Sequence, residues 1–297
     1  MHHQPTWIGA LLFLASTAQS QQQLESGLSY NNANLLTSQN STAQNSSSTE
    51  PRLGLPVALS AQWQTLNPNG ALSAALYAAH DSDLQKSNAA IQQLNGQLQK
   101  MLALNAIWLS RTAISSSLYT NQQQPANSYQ ALSINQTFGY FANNNSGWDL
   151  NLALQQRDYA QNPNGSYQGQ QFELGAVHYF AAPANRPRWA AAITLQQFNA
   201  SNTFYNSSSQ QLNLSYGQWQ WHQLQGNLSL QWLQNRYPNP NTAPQLSDRY
   251  SLLSLDGVYP ISTEWQLTTT LSAGLYQDSN NSSRTILNAY FGLRTAL

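Results

Sequence analysis

The sequence predicts an all-β protein, a transmembrane up-and-down antiparallel barrel of about fourteen strands, with twelve as the alternative count. Three observations carry that expectation. Apolar and polar residues alternate in segment after segment, as in Trp148-Asp149-Leu150-Asn151-Leu152-Ala153-Leu154-Gln155. Charged residues make up only 7% of the chain, against roughly 25% in ordinary soluble proteins, yet mean hydropathy is −0.48. Aromatic residues cluster at both ends of the alternating segments, with 9 Trp and 15 Tyr in the chain.

Alternation matters because successive side chains of a strand point to opposite faces. Each segment therefore has one oily face and one wet face. Low charge with many Gln, Asn, Ser and Thr fits either a disordered low-complexity chain or a barrel with one lipid face and one neutral polar face. The aromatic content favours the barrel.

Taken from the N-terminus, the first element is an export signal. Trp7 to Ala15 (WIGALLFLA) is a short apolar run, and Ala18-Gln19-Ser20 fits the small-x-small cleavage pattern before Gln21. The run falls short of the ~20 apolar residues a membrane helix needs. The chain then divides into a signal peptide, 1–20, and an outer-membrane barrel, 21–297. Strands are expected at 22–31, 52–65, 70–80, 88–101, 106–120, 128–142, 147–160, 168–181, 187–200, 207–217, 220–235, 248–259, 263–276 and 284–297. The fourth is ambiguous, because Ile91, Leu94, Leu98 and Met101 also fit a helical stripe. The first competes with a disordered tail over Gln21 to Glu50.

Connections alternate in length. Short ones fall at 66–69, 102–105, 143–146, 182–186, 218–219 and 260–262; longer Asn/Ser/Gln-rich ones at 32–51, 121–127, 161–167, 201–206, 236–247 and 277–283. Short periplasmic turns and longer outer loops are typical of bacterial outer-membrane barrels. An even strand number places both termini in the periplasm. The loop at 32–51 is long enough to fold inward and narrow a bore.

Aromatics near the short turns predict a membrane-interface girdle of Trp108, Trp148, Trp189, Trp221 and Trp265. A second set near the long loops, including Tyr119, Tyr129, Tyr159, Tyr167, Phe198, Tyr237, Tyr250 and Tyr276, predicts a second girdle on the opposite rim. The last residues, Tyr290 to Leu297, alternate to the end and partly match the assembly signal of outer-membrane proteins.

The opening Leu24-Glu25-Ser26-Gly27-Leu28-Ser29-Tyr30-Asn31-Asn32-Ala33-Asn34 resembles the first hairpin of the barrel domain of surface lipoprotein assembly modifiers. The hairpin order to Leu297 is similar as well. The resemblance implies a fourteen-stranded barrel and a role in lipoprotein translocation or assembly. The family's periplasmic helical-repeat domain has no counterpart in this chain.

Function classes narrow from the same composition. Eleven basic and eleven acidic residues give a net charge of zero, which argues against nucleic acid, bound through clustered positive charge. There is no cysteine, hence no disulfide and no lipidated cysteine. His80, His178 and His222 lack metal-ligand spacing, so neither metal nor other cofactor is expected. His80 with Ser82 is the one pair that fits the base and hydroxyl of an outer-membrane lipase, on one strand face, but it reads first as a polar loop cluster, so no catalytic residue and no enzyme is expected, with an outer-membrane hydrolase as a distant alternative.

Turning apolar sides outward points Arg111, Asp149, Arg157, Glu173, Asp256 and Arg294 into the lumen. A charge facing lipid at mid-bilayer costs roughly 2–4 kcal/mol. These residues either line a pore or pair with one another and brace its wall. The expected function is a channel or export conduit for polar, largely neutral solutes or polymers. The alternatives are a lipoprotein assembly factor and a structural or adhesive surface protein. Expected partners are outer-membrane lipids and the barrel assembly machinery, with a surface lipoprotein or a polysaccharide as client.

Overall fold

In the computed structural model, fourteen strands close in sequence order into one antiparallel barrel. The structure describes residues 19–31, 52–67, 70–84, 90–105, 107–122, 125, 128–141, 146–159, 166–180, 188–237, 246–278 and 282–296. The apolar run at 7–15, the loop at 32–51 and most of the loop at 236–247 lie outside these residues.

The strands are β1 (Gln19–Asn31), β2 (Arg52–Asn67), β3 (Gly70–Asp83), β4 (Ala90–Ala103), β5 (Trp108–Asn121), β6 (Tyr129–Tyr140) and β7 (Gly147–Tyr159). They continue as β8 (Tyr167–Tyr179), β9 (Arg188–Ala200), β10 (Ser207–Trp221), β11 (Leu224–Tyr237), β12 (Leu246–Pro260), β13 (Trp265–Gln277) and β14 (Ser283–Ala296). The ambiguous fourth element is therefore a strand. Its Leu94 and Leu98 point outward while Ile91 and Met101 point inward, so the apparent helical stripe is split between two faces. The first element is a strand as well, and it begins at Gln19, pairing Gln19 with Gln64 and Ser20 with Trp63.

One turn differs from the expectation. The connection expected at 218–219 is part of β10, and the chain reverses at His222-Gln223 instead. A register shift between Tyr216 and Trp219 marks a bulge, which breaks strict alternation just where the sequence suggests a loop. Gln223 is thus a turn residue. His222 takes a φ of 52°, in the left-handed region where a non-glycine residue is uncommon.

Register sets which face each residue occupies. Leu230 lies opposite Leu214 on β10 and Leu253 on β12, all three well exposed. Asn227 and Ser229 occupy the alternate face. A water-soluble barrel would not carry such a continuous exposed apolar surface. It forms a lipid-facing band, and among the described residues no helix is long and apolar enough to cross a membrane.

The band has different edges. At the short-turn end, Trp108, Trp148, Trp189, Trp221 and Trp265 are all exposed on the outer face. Trp108 lies 4.8 Å from Tyr140 and Trp189 4.9 Å from Tyr216, pairing rings across neighbouring strands. At the long-loop end many outward positions are polar instead, with exposed amides at Gln92, Gln130, Gln156, Gln170, Gln197 and Gln210, while Leu53, Leu55 and Leu84 keep the face apolar at β2 and β3. Among the described residues no second aromatic girdle stands on that outer rim. Tyr119, Tyr129, Tyr159, Tyr167, Phe198, Tyr237, Tyr250 and Tyr276 sit on inward positions. Strand parity is the reason: Tyr119 follows outward Leu118, so it must face the bore.

Those rings pack on one another inside the outer mouth. Tyr119 stacks on Tyr129 at 5.4 Å and Tyr159 on Tyr167 at 4.5 Å, while Tyr167 stacks on Tyr205 at 4.1 Å. Phe198 lies against Gly169, where a Cβ would strike its ring. A glycine facing a large ring lets that ring lie flat on the wall.

Candidate functional site

The bore is the feature that could act on a solute. Its mid-level lining is largely amide and hydroxyl: Asn95 and Gln97 on β4, Ser115 on β5, Ser133 on β6, Asn151 on β7 and Asn213 on β10 face inward. Gln97 and Asn227 are exposed although they point inward, so water reaches the lining. Ser115 and Ser133 share a hydrogen bond of 2.6 Å across β5 and β6. Such neighbours fix each hydroxyl without removing it from solvent.

All six ionisable residues expected to point inward do stand on inward positions, and the structure shows what each touches. Arg111 donates to Asp149 at 2.7 Å, and the Tyr179 hydroxyl donates to the same carboxylate oxygen at 3.1 Å. Arg294 lies 2.7 Å from Glu25 across the closing seam. The Glu173 carboxylate accepts from Gln196 at 2.7 Å, and Asp256 accepts from Thr270 at 2.8 Å. Arg157 is fully buried at 0% exposure. It donates to Gln155 at 2.6 Å, and its guanidinium lies 5.2 Å from the Tyr129 ring centre. Arg157 therefore braces the tyrosine cluster rather than meeting a passing solute.

Pattern reading missed two groups. Arg52 on β2 pairs with Asp81 on β3 at 2.6 Å, with Asp83 3.7 Å away, at the outer end of the bore. Glu25 holds the seam, accepting from Thr268 at 2.7 Å, Tyr290 at 2.8 Å and Arg294 Nε at 2.8 Å. The signal for both lies in strand parity, since these charges occupy the same inward phase as their neighbours. The partners require register, which no local pattern supplies.

The inward ions are nearly balanced in sign. Arg52, Arg111, Arg157, Arg188, Arg284 and Arg294 face Glu25, Asp81, Asp83, Asp149, Glu173, Asp248 and Asp256 across the described wall. The contact pairs Arg52–Asp81, Arg111–Asp149 and Arg294–Glu25 cancel at a distance, and the other inward charges are of mixed sign.

A closed barrel with a lipid-facing apolar band, a tryptophan girdle and a hydrated polar interior defines a transmembrane β-barrel of the bacterial outer membrane. That is the protein's class and its location. Solved structures of that class share the fold. A bacterial polysaccharide outer membrane secretin superposes with a TM-score of 0.52 at 9% identity, covering 93% of this chain and 98% of its own. The loop-deleted OmpT outer membrane protein of Vibrio cholerae gives 0.52 at 8% identity, covering 95% and 99%. OprB of Pseudomonas putida gives 0.51 at 8% identity, covering 98% and 97%. No protein-family model matches the sequence, and neither does any curated protein.

Proposed function

We propose that the barrel is a water-filled pore or export conduit for polar, largely neutral solutes or polymers. The observation that carries this reading is the way its inward charges are spent. Arg111 with Asp149, Arg294 with Glu25 and Arg52 with Asp81 are contact pairs within the wall. Beside them the described bore is lined mainly by amides and hydroxyls, with Arg188, Arg284, Glu173, Asp248 and Asp256 adding charges of mixed sign. Selectivity among ions comes from rings of a single charge sign, and the described lining has none. Neutral polar groups instead exchange hydrogen bonds with water, sugars or polymer hydroxyls at little net cost. Fourteen strands also leave more interior than the eight that side chains can fill. The polysaccharide secretin has the same fold, which fits a polymer as cargo.

The expected result is a reversal potential close to zero for the protein in a planar bilayer across a tenfold salt gradient. A large potential of either sign would contradict the neutral-lining account. The resemblance of the Leu24–Asn34 segment to surface lipoprotein assembly modifiers carries a second reading, in which the barrel passes or assembles a lipoprotein. The two differ in outcome, because an assembly factor need not conduct.

A further inference from the structure

A different face of the barrel carries a second chemistry. On β3, His80 Nε2 lies 2.9 Å from Ser82 Oγ. Gln92 of β4, directly across from His80, places its amide 3.5 Å from the other ring nitrogen, Nδ1. All three sit on outward positions, because His80 pairs with the lipid-facing Val57 and Ser82 with the lipid-facing Leu55. We propose that Ser82, His80 and Gln92 form a hydrolytic site, facing the membrane, that cleaves carboxylic ester bonds of outer-leaflet lipids.

Three features support the assignment. The first is the constellation: a hydroxyl within hydrogen-bond reach of a base, and the base held by a third group. Gln92 is exposed. With its amide turned by 180°, Oε1 accepts from Nδ1–H and leaves the Nε2 lone pair facing Ser82. The second is depth. Gln92 belongs to the polar collar at the long-loop end, and on β2 and β3 the apolar face continues only a step farther, to Leu53 and Leu84, so the pair sits close to the boundary where acyl chains meet their polar linkages. The third is the surround. Val57, Leu55, Leu59 and Leu94 are exposed on the flanking strands, an apolar apron on which acyl chains can lie. Other hydroxyls stand on the described collar, among them Thr120, Ser208 and Ser283, but Ser82 is the one beside a histidine, since His178 and His222 lie at the short-turn end. The intervening Asp81 faces the bore, where it pairs with Arg52.

The chemistry balances without a further reactant beyond water. Ser82 Oγ attacks the ester carbonyl carbon while its proton passes to His80 Nε2. The tetrahedral species collapses, breaking the acyl C–O bond, and the leaving alkoxide takes the proton from the imidazolium. Water then attacks the acyl-serine with His80 again as base, releasing a fatty acid and regenerating Ser82. Gln92 is a positioning residue, fixing the ring and its tautomer.

The test uses the full chain refolded in detergent, with folding verified for each variant by its heat-dependent shift in gel migration. Dioleoylphosphatidylethanolamine in mixed micelles is one substrate and acylated lipopolysaccharide the other; the arm that yields fatty acid identifies the lipid. Ser82→Ala and His80→Asn should each lower release by roughly 10²-fold or more. A fluorophosphonate probe should label Ser82, read by peptide mass spectrometry, and His80→Asn should abolish the label. Gln92→Glu should move the acid limb of the rate profile to higher pH, because a carboxylate favours the protonated imidazole. A folded wild-type protein that releases no fatty acid from either lipid and takes no label overturns the proposal. So does release that persists unchanged in Ser82→Ala.

Discussion

Leu230→Arg is expected to lower the stability of the barrel in lipid vesicles by about 2–4 kcal/mol, whereas Ser229→Arg, one residue away, should cost under ~1 kcal/mol. Leu230 is 51% exposed and sits between Leu214 and Leu253 on the lipid face. An arginine there meets hydrocarbon and must snorkel several residues along the strand to reach water. Ser229 lies opposite Ser215 and Ser254, inside a hydrated bore, where a guanidinium keeps its solvation. Equilibrium urea titrations of folding into vesicles separate the two. Equal effects would mean that the register of β11 is wrong, because a one-residue slip exchanges the faces.

Glu25→Ala should be the most damaging single change on the lumen face, with a loss of about 2 kcal/mol. Strands β1 and β14 close the barrel, and their register, from Gln23 with Ala296 to Asn31 with Asn288, is shorter than any other described pairing. Glu25 compensates by gathering three donors, Thr268, Tyr290 and Arg294. The Tyr290 ring covers the facing pair Gly27 and Gly292, where a Cβ would collide with it. Removing the carboxylate strands a guanidinium and two hydroxyls, and water from the bore recovers only part of that loss. Arg294→Met added to Glu25→Ala should recover part of the stability, since it removes the unpaired charge. The melting temperature read from heat-dependent gel migration measures both. If Glu25→Ala melts like wild type, the seam is held by backbone hydrogen bonds alone.

Strand existence and phase are legible in the sequence because alternation is a local property. Leu150, Leu152 and Leu154 announce their face whatever lies beside them. The β10–β11 reversal was not legible, because the bulge after Tyr216 lets the strand run on through Gly217 and Trp219. The tyrosines near the long loops were legible in principle. Tyr159 shares the phase of Arg157 and Gln155, not that of Leu154, but proximity to a loop suggested a girdle. Contacts such as Arg111 with Asp149 join strands 38 residues apart, and only register brings them together. The His80–Ser82 pair was visible as a spacing. Its outward aim and the arrival of Gln92 needed the β3–β4 ladder.

A water-filled lumen is the central feature of the proposed pore, and single-channel recording in planar bilayers tests it directly. The expected record is stepwise, ohmic current whose size scales with bulk salt and barely distinguishes anions from cations. A barrel verified as folded and inserted that passes no current at any salt concentration would contradict the pore account.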